Sequence, residues 1–125
     1  MKRIDDASIL RIFISSSDKF KSKPLYQTIV FAAKRNGLAG ATVFKAVMGY
    51  GSSSRISSDS FWEHSENMPL IIEIIDQTLK IESFVNVIEP WLEKVPTGCL
   101  ISIEKARVLL QKKPKETPDD IADDL

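Results

Sequence analysis

Leu10, Ile12 and Ile14 fall on one side of a two-residue alternation that starts at Ser8, and Ile9, Arg11 and Phe13 fall on the other. That period predicts an extended strand ending near Ser15. A polar connection from Ser15 to Lys23 follows. Pro24 then suits a first helical turn, and Leu25, Ile29, Ala32 and Ala33 recur at helical spacing up to Asn36-Gly37, where glycine provides a left-handed stop. Thr42, Val43, Phe44 and Val47 favour a second strand over Ala41 to Tyr50, which empties into a loop running from Gly51 towards Asn67. Pro69 introduces the apolar run Leu70-Ile-Ile-Glu-Ile-Ile75, whose β-branched residues suit a buried third strand.

Asp76 or Thr78 is placed to cap the next helix. In that helix Ile81, Phe84, Val85, Ile88, Trp91, Leu92 and Val95 recur at offsets of three and four and form one broad apolar face. Pro90 sits inside the pattern, removing a backbone donor and crowding the preceding turn, so a kink or local irregularity is expected there. Pro96-Thr97-Gly98 ends the helix. Cys99 to Leu110 reads as a fourth strand, although Glu104 to Arg107 also permits a short helical turn. Pro114, Pro118 and four aspartates with little apolar content predict a flexible acidic tail over residues 112–125.

The order strand, helix, strand, strand, helix, strand predicts an α+β fold, a ferredoxin-like βαββαβ sandwich with two helices on one face of one antiparallel sheet, over residues 8–111. Strands one and three carry large apolar groups on both faces, and two helices cover only one. Burying the other against partner subunits is worth roughly 25 cal/mol per Å² of apolar area, a physical reason to expect a homo-oligomer.

A chain of 125 residues fits one domain with a single core. Lys plus Arg equals Asp plus Glu at 17 each, so no global positive field attracts nucleic acid or an acidic membrane. The single cysteine, Cys99, forms no internal disulfide and favours a reducing compartment, the cytoplasm. No apolar run approaches the roughly 20 residues of a membrane span, and Met1 to Asp6 is not followed by a signal-peptide core.

The candidate chemistry centres on the end of strand two. Gly49, Gly51 and Ser52, Ser53 and Ser54 offer backbone amides and hydroxyls to an anion, while Lys45 or Arg55 supplies charge. This is neither a Walker loop nor a dinucleotide fingerprint, because no Gly-Lys-Ser/Thr follows and Gly40 precedes a strand. A purely structural reading, in which these glycines turn the chain and end a strand, stands beside it. Arg11 either pairs with Glu73, which lies mid-strand among isoleucines, since a buried charge needs a partner, or projects into an oligomer interface, the ion pair being the first expectation. Asp76 reads as a helix cap rather than a catalytic acid. His64, with Asp59, Glu63 and Glu66 nearby, lacks the second soft ligand of a transition-metal site, so no metal is expected. Cys99 has no nucleophile setting, and no Ser, His and Asp arrangement marks a triad, so no catalytic residue is assigned. Phe61 and Trp62, two large aromatics in a polar loop, serve either to anchor a partner or to pack over their own sheet.

The blocks Leu10-Arg-Ile-Phe-Ile14, Pro24-Leu-Tyr26, Gly37-Leu-Ala-Gly-Ala-Thr-Val43 with Gly49-Tyr-Gly51, and Met68-Pro-Leu-Ile-Ile-Glu-Ile-Ile-Asp76, with the late Gly98-Cys-Leu-Ile-Ser-Ile-Glu104, together resemble the family called domain of unknown function 190. Its fold is similar to that of the PII signalling proteins. The resemblance implies a homotrimer with sheets facing its centre and a mobile loop after strand two. It also implies a small anionic effector such as AMP, ADP or ATP in clefts between subunits, and a transporter or enzyme as partner. Two departures from the family pattern stand out: Ser15-Ser16 where Gly-Glu is common, and Lys45-Ala46 where Arg-Gly is common. The resulting expectation is a non-enzymatic, nucleotide-binding PII-like sensor. The alternative is a structural or partner-binding trimer without nucleotide binding, associated with ion transport.

Overall fold

The computed structural model describes residues 2–51, 57–58 and 67–115. The chain forms β1 (Lys2–Ser15), β2 (Lys19–Phe20), β3 (Lys23–Pro24), α1 (Leu25–Arg35), β4 (Thr42–Lys45), β5 (Met48–Gly49), β6 (Ser57–Ser58), β7 (Pro69–Gln77), α2 (Thr78–Lys94) and β8 (Leu100–Gln111). The main sheet has strand order β4-β7-β1-β8, and every neighbouring pair is antiparallel. This is the expected ferredoxin-like α+β arrangement, with both helices on one sheet face.

The alternation in β1 and β7 decides which residues enter the core. Leu10, Ile12 and Ile14 of β1 and Leu70, Ile72 and Ile74 of β7 are buried with Leu25, Ile29, Ala32 and Ala33 of α1 and Ile81, Phe84, Ile88 and Leu92 of α2. Each large side chain so buried contributes roughly 1.5–3 kcal/mol relative to exposure. Pro90 lies inside α2 without ending it, on the exposed side of the helix. The helical alternative for Glu104 to Arg107 does not occur, because β8 stays paired with β1 through this stretch.

Four features differ from the sequence pattern. β1 begins at Lys2, six residues before the alternation does, because register shifts between Lys2, Ile4 and Ala7 break the two-residue period there. The polar connection holds a two-residue hairpin, β2 with β3, whose turn residues Lys21 and Ser22 have φ of 52° and 66°. Neither is the Gly or Asn that normally announces such a turn. Phe20, in this hairpin, stacks on Trp91 of α2 with ring centroids 5.6 Å apart. The expected second strand divides: β4 pairs with β7 only as far as β7 extends, Ala46 N–H donates to Pro69 O at 3.0 Å, and the chain then leaves the sheet to pair β5 with β6. Finally, Pro24 is the N-cap of α1 rather than its first helical residue.

Candidate functional site

The stop at the end of α1 builds one wall of the site. Leu38 N–H reaches Ala33 O and Gly37 N–H reaches Lys34 O, both at 3.1 Å, and Gly37 takes φ +77°. These are the paired bonds of a Schellman motif, and a left-handed residue there favours glycine. Leu38 tucks into the core behind it. The following Ala39 is held by Asp76, which is not the cap of α2 that the sequence suggests. Gln77 occupies the N-cap without a side-chain cap bond, whereas Asp76, 2% exposed, accepts Ala39 N–H at 2.9 Å and Gln77 N–H at 2.7 Å. Lys80 adds a bond to Gly37 O at 2.6 Å. Asp76→Ala leaves the Ala39 amide without its acceptor, so a loss of about 1–3 kcal/mol in urea unfolding is expected.

From Ala39 the chain enters β4, and its register fixes what lies across the sheet. Thr42 pairs with Glu73, Glu73 with Arg11, and Arg11 with Ser102, a polar row on the face away from the helices. Arg11 Nε donates to Glu73 at 3.0 Å and Nη1 to Glu104 at 3.3 Å. These hydrogen bonds, that of Glu73 foremost, raise the guanidinium pKa above its ordinary value. The pairing of Arg11 with Glu73 is thus as the sequence implies, while Glu104 was missed because β8 offered no pattern to set its register.

Apolar rows flank this polar one. Phe44, Ile71, Phe13 and Leu100 align on one side, and Ile75 and Ile9 on the other. Phe44 is 47% exposed, Ile75 40% and Leu100 58%. At the β4 entrance a cavity of about 320 Å³ is lined by the 39–42 segment, Glu73 and Ile75, with Ile4, Val108, Leu110 and Gln111 from the ends of β1 and β8. A Cβ added to Gly40 would meet nothing within 4 Å, so this wall has room beside it. The cavity joins three polar side chains, Thr42, Glu73 and Gln111, to an apolar floor, the usual chemistry of a small-ligand site.

The sequence-derived residues distribute differently. Lys45 is exposed and pairs with Leu70, which puts it on the opposite face from Thr42 and outside the cavity. Gly49 pairs with Ser57 in the separate β5–β6 ribbon, and Gly51 follows it at the surface. Within one subunit these three are not brought to the cavity. Ser52, Ser53, Ser54, Arg55, Phe61, Trp62 and His64 lie outside the described residues. The Ser15-Ser16 departure closes the far end of β1: Ser16 N–H donates to Met68 O at 2.8 Å and Met68 N–H to Ser16 Oγ at 3.0 Å.

Asp18 completes that end. It is 4% exposed and accepts Ser15 N–H at 2.9 Å and Thr97 Oγ1–H at 2.6 Å. Burial, followed by the charge of Asp18, raises the Cys99 pKa above the ordinary 9.0. The thiol is therefore protonated at neutral pH, and iodoacetamide alkylation should accelerate with a midpoint above 9.0. As pH rises, the unfolded chain loses this proton first, so Cys99 lowers stability only above about 9 and not near neutrality.

The fold and its strand order are similar to those of solved PII-like proteins. One solved neighbour is a nitrogen regulatory PII-like protein from Thiomonas intermedia K12, bound to ADP, AMP and bicarbonate, with TM-score 0.64 and 12% identity over 83% of this chain and 89% of that one. A second, from Thermus thermophilus, is proposed to be a PII-like signalling protein, with TM-score 0.60 and 18% identity over 87% and 94% of the two chains. Residues 7–108 match the family described as "Uncharacterized ACR", domain of unknown function 190, and the chain belongs to that family. It is 38% identical over 107 residues to a UPF0166 protein of Aquifex aeolicus, covering 86% of this chain and 97% of the relative. A UPF0166 protein of Methanocaldococcus jannaschii is 39% identical over 89 residues, covering 71% and 78%. Among the described residues no helix is long and apolar enough to cross a membrane.

Proposed function

We propose that this chain is a non-enzymatic, PII-like homotrimeric sensor of the cytoplasm that binds an adenine nucleotide in a cleft between subunits. It reports occupancy to a transporter or enzyme through the loop after β5. The observation that carries this reading is the cavity on the helix-free sheet face, where the 39–42 segment, Glu73, Ile75 and Gln111 combine an apolar floor with a few polar groups. An adenine base needs such a pairing of apolar enclosure and a few directed hydrogen bonds. The cavity lies on a face whose apolar rows favour coverage by other subunits.

The placement of Lys45, Gly49 and Gly51 fits the same scheme. One subunit keeps them away from its own cavity, so they meet a ligand there only by reaching the cavity of a neighbour. In the trimer the base sits against the 39–42 segment of one subunit. Lys45, Arg55 and the Gly49 to Ser54 backbone of the next receive the phosphates. The solved PII-like neighbour bound to ADP and AMP supports an adenine nucleotide over other anions. Occupancy shifts the loop only to the extent that its arrangements differ in affinity for the ligand.

Isothermal titration calorimetry with ADP and AMP tests the reading. Binding is expected to weaken by about tenfold or more in Gly40→Leu, which adds bulk to the 39–42 wall of the cavity at a position with open space beside it. Proteolysis between Gly51 and Asn67 is expected to change when ADP is added. Absence of binding at millimolar nucleotide favours the partner-binding trimer without a nucleotide role.

A further inference from the structure

A second and larger cavity, about 760 Å³, opens where the loop after α1 meets the first turn of α2 and the residues following β8. Its wall carries Lys2, Lys80, Lys112, Lys113 and Lys115 against a single carboxylate, Asp76. The whole chain has equal numbers of positive and negative side chains, so this is a local separation of charge rather than a general basic character.

Two of the charged groups are already engaged. Asp76 accepts the Ala39 and Gln77 amides, and Lys80 Nζ lies 3.6 Å from it while holding Gly37 O. Lys2, Lys112, Lys113 and Lys115 are exposed and make no ion pair among the described residues. Like charges gathered around one recess repel, and a concave wall focuses their field on whatever enters it. An anion with several charges relieves that repulsion at once, which a single carboxylate does not.

We propose that this cleft, which adjoins the nucleotide cavity and shares Ala39 and Gln111 with it, binds a soluble oligophosphate as a site of its own. The volume falls in the ordinary range for small-molecule sites. Lysine binds phosphate as a point charge and does not need the fixed geometry of an arginine fork. No aromatic side chain lines the recess, so nothing there stacks a nucleobase. That separates it in ligand class from the cavity at Thr42 and Glu73.

The test is calorimetry of the full chain with sodium tripolyphosphate, compared with the triple variant Lys112→Gln, Lys113→Gln, Lys115→Gln. These side chains are solvent-exposed, so circular dichroism should show an unchanged fold. Tripolyphosphate affinity is expected to fall by about tenfold or more and to weaken steeply with salt, while ADP affinity stays within about twofold. Equal binding by variant and parent, or no binding by either, overturns the proposal. Loss of ADP together with tripolyphosphate, with the two competing, makes the cleft the phosphate end of the nucleotide site and also overturns it. Lysine-dependent sedimentation with phosphatidylglycerol vesicles, without tripolyphosphate binding, assigns the cluster to a membrane surface and rejects the soluble ligand.

Discussion

Ile71→Asp is expected to give a monomer that keeps its secondary structure, where the parent chain is expected to be an oligomer. Ile71 lies at the centre of the apolar row running from Phe44 through Phe13 to Leu100 on the helix-free face, and it is only half-buried within its own subunit. In an isolated subunit an aspartate there still reaches water, and its cost is the weak strand preference of aspartate, about 1 kcal/mol. Against a second subunit the same carboxylate is desolvated without a cation, since Arg11 is already taken by Glu73 and Glu104. That penalty is several kcal/mol per site, and every subunit incurs it. Sedimentation equilibrium at micromolar concentration should report a monomer with an unchanged far-ultraviolet spectrum. An oligomer that survives the substitution means that something other than this face holds the subunits together.

Phe84→Ala should remove about 3–5 kcal/mol from the unfolding free energy. Phe84 is 1% exposed in the middle of α2 and belongs to the cluster joining both helices to β1 and β7. Its removal loses the transfer free energy of a buried ring and leaves a void that the packed isoleucines of two β-strands fill poorly. Leu79, on the same helix but 75% exposed, is the matched control. Leu79→Ala is expected to change stability by no more than about 0.5 kcal/mol. Equal effects of the two substitutions in urea unfolding would deny that the inward stripe of α2 is what anchors the sheet.

The main elements were legible because one sheet face is buried and the other is not. That asymmetry writes the alternation of Leu10, Ile12 and Ile14 and the helical spacing of Ile81, Phe84 and Ile88 directly into the sequence. Where a bulge interrupts the period, as between Lys2 and Ala7, the strand continues unseen. The β2–β3 turn was equally silent, since Lys21 and Ser22 adopt positive φ without the residues that usually permit it. Arg11 and Glu73 could be paired from the chain alone, because charges amid isoleucines need each other. Asp76 misled: its place before a helix suggested a cap, but one of its oxygens accepts from Ala39 and the other from Gln77, and neither caps the first turn of α2.

The candidate cavity was not legible, for a topological reason. Its walls come from residues 4, 39–42, 73, 75, 108, 110 and 111, which only the order β4-β7-β1-β8 draws together. The lysine cleft is scattered in the same way over residues 2, 80 and 112–115, each unremarkable as a solvated side chain. Sequence reasoning instead found the local Gly49 to Arg55 motif. Its described members lie away from the cavity of their own subunit.

Native mass spectrometry of the purified chain with ADP tests the central claim most directly. The account predicts a trimer carrying bound ADP, with both trimer and nucleotide diminished in Ile71→Asp. A monomer that binds ADP as tightly as the parent assembly, or a trimer to which ADP does not bind, contradicts it.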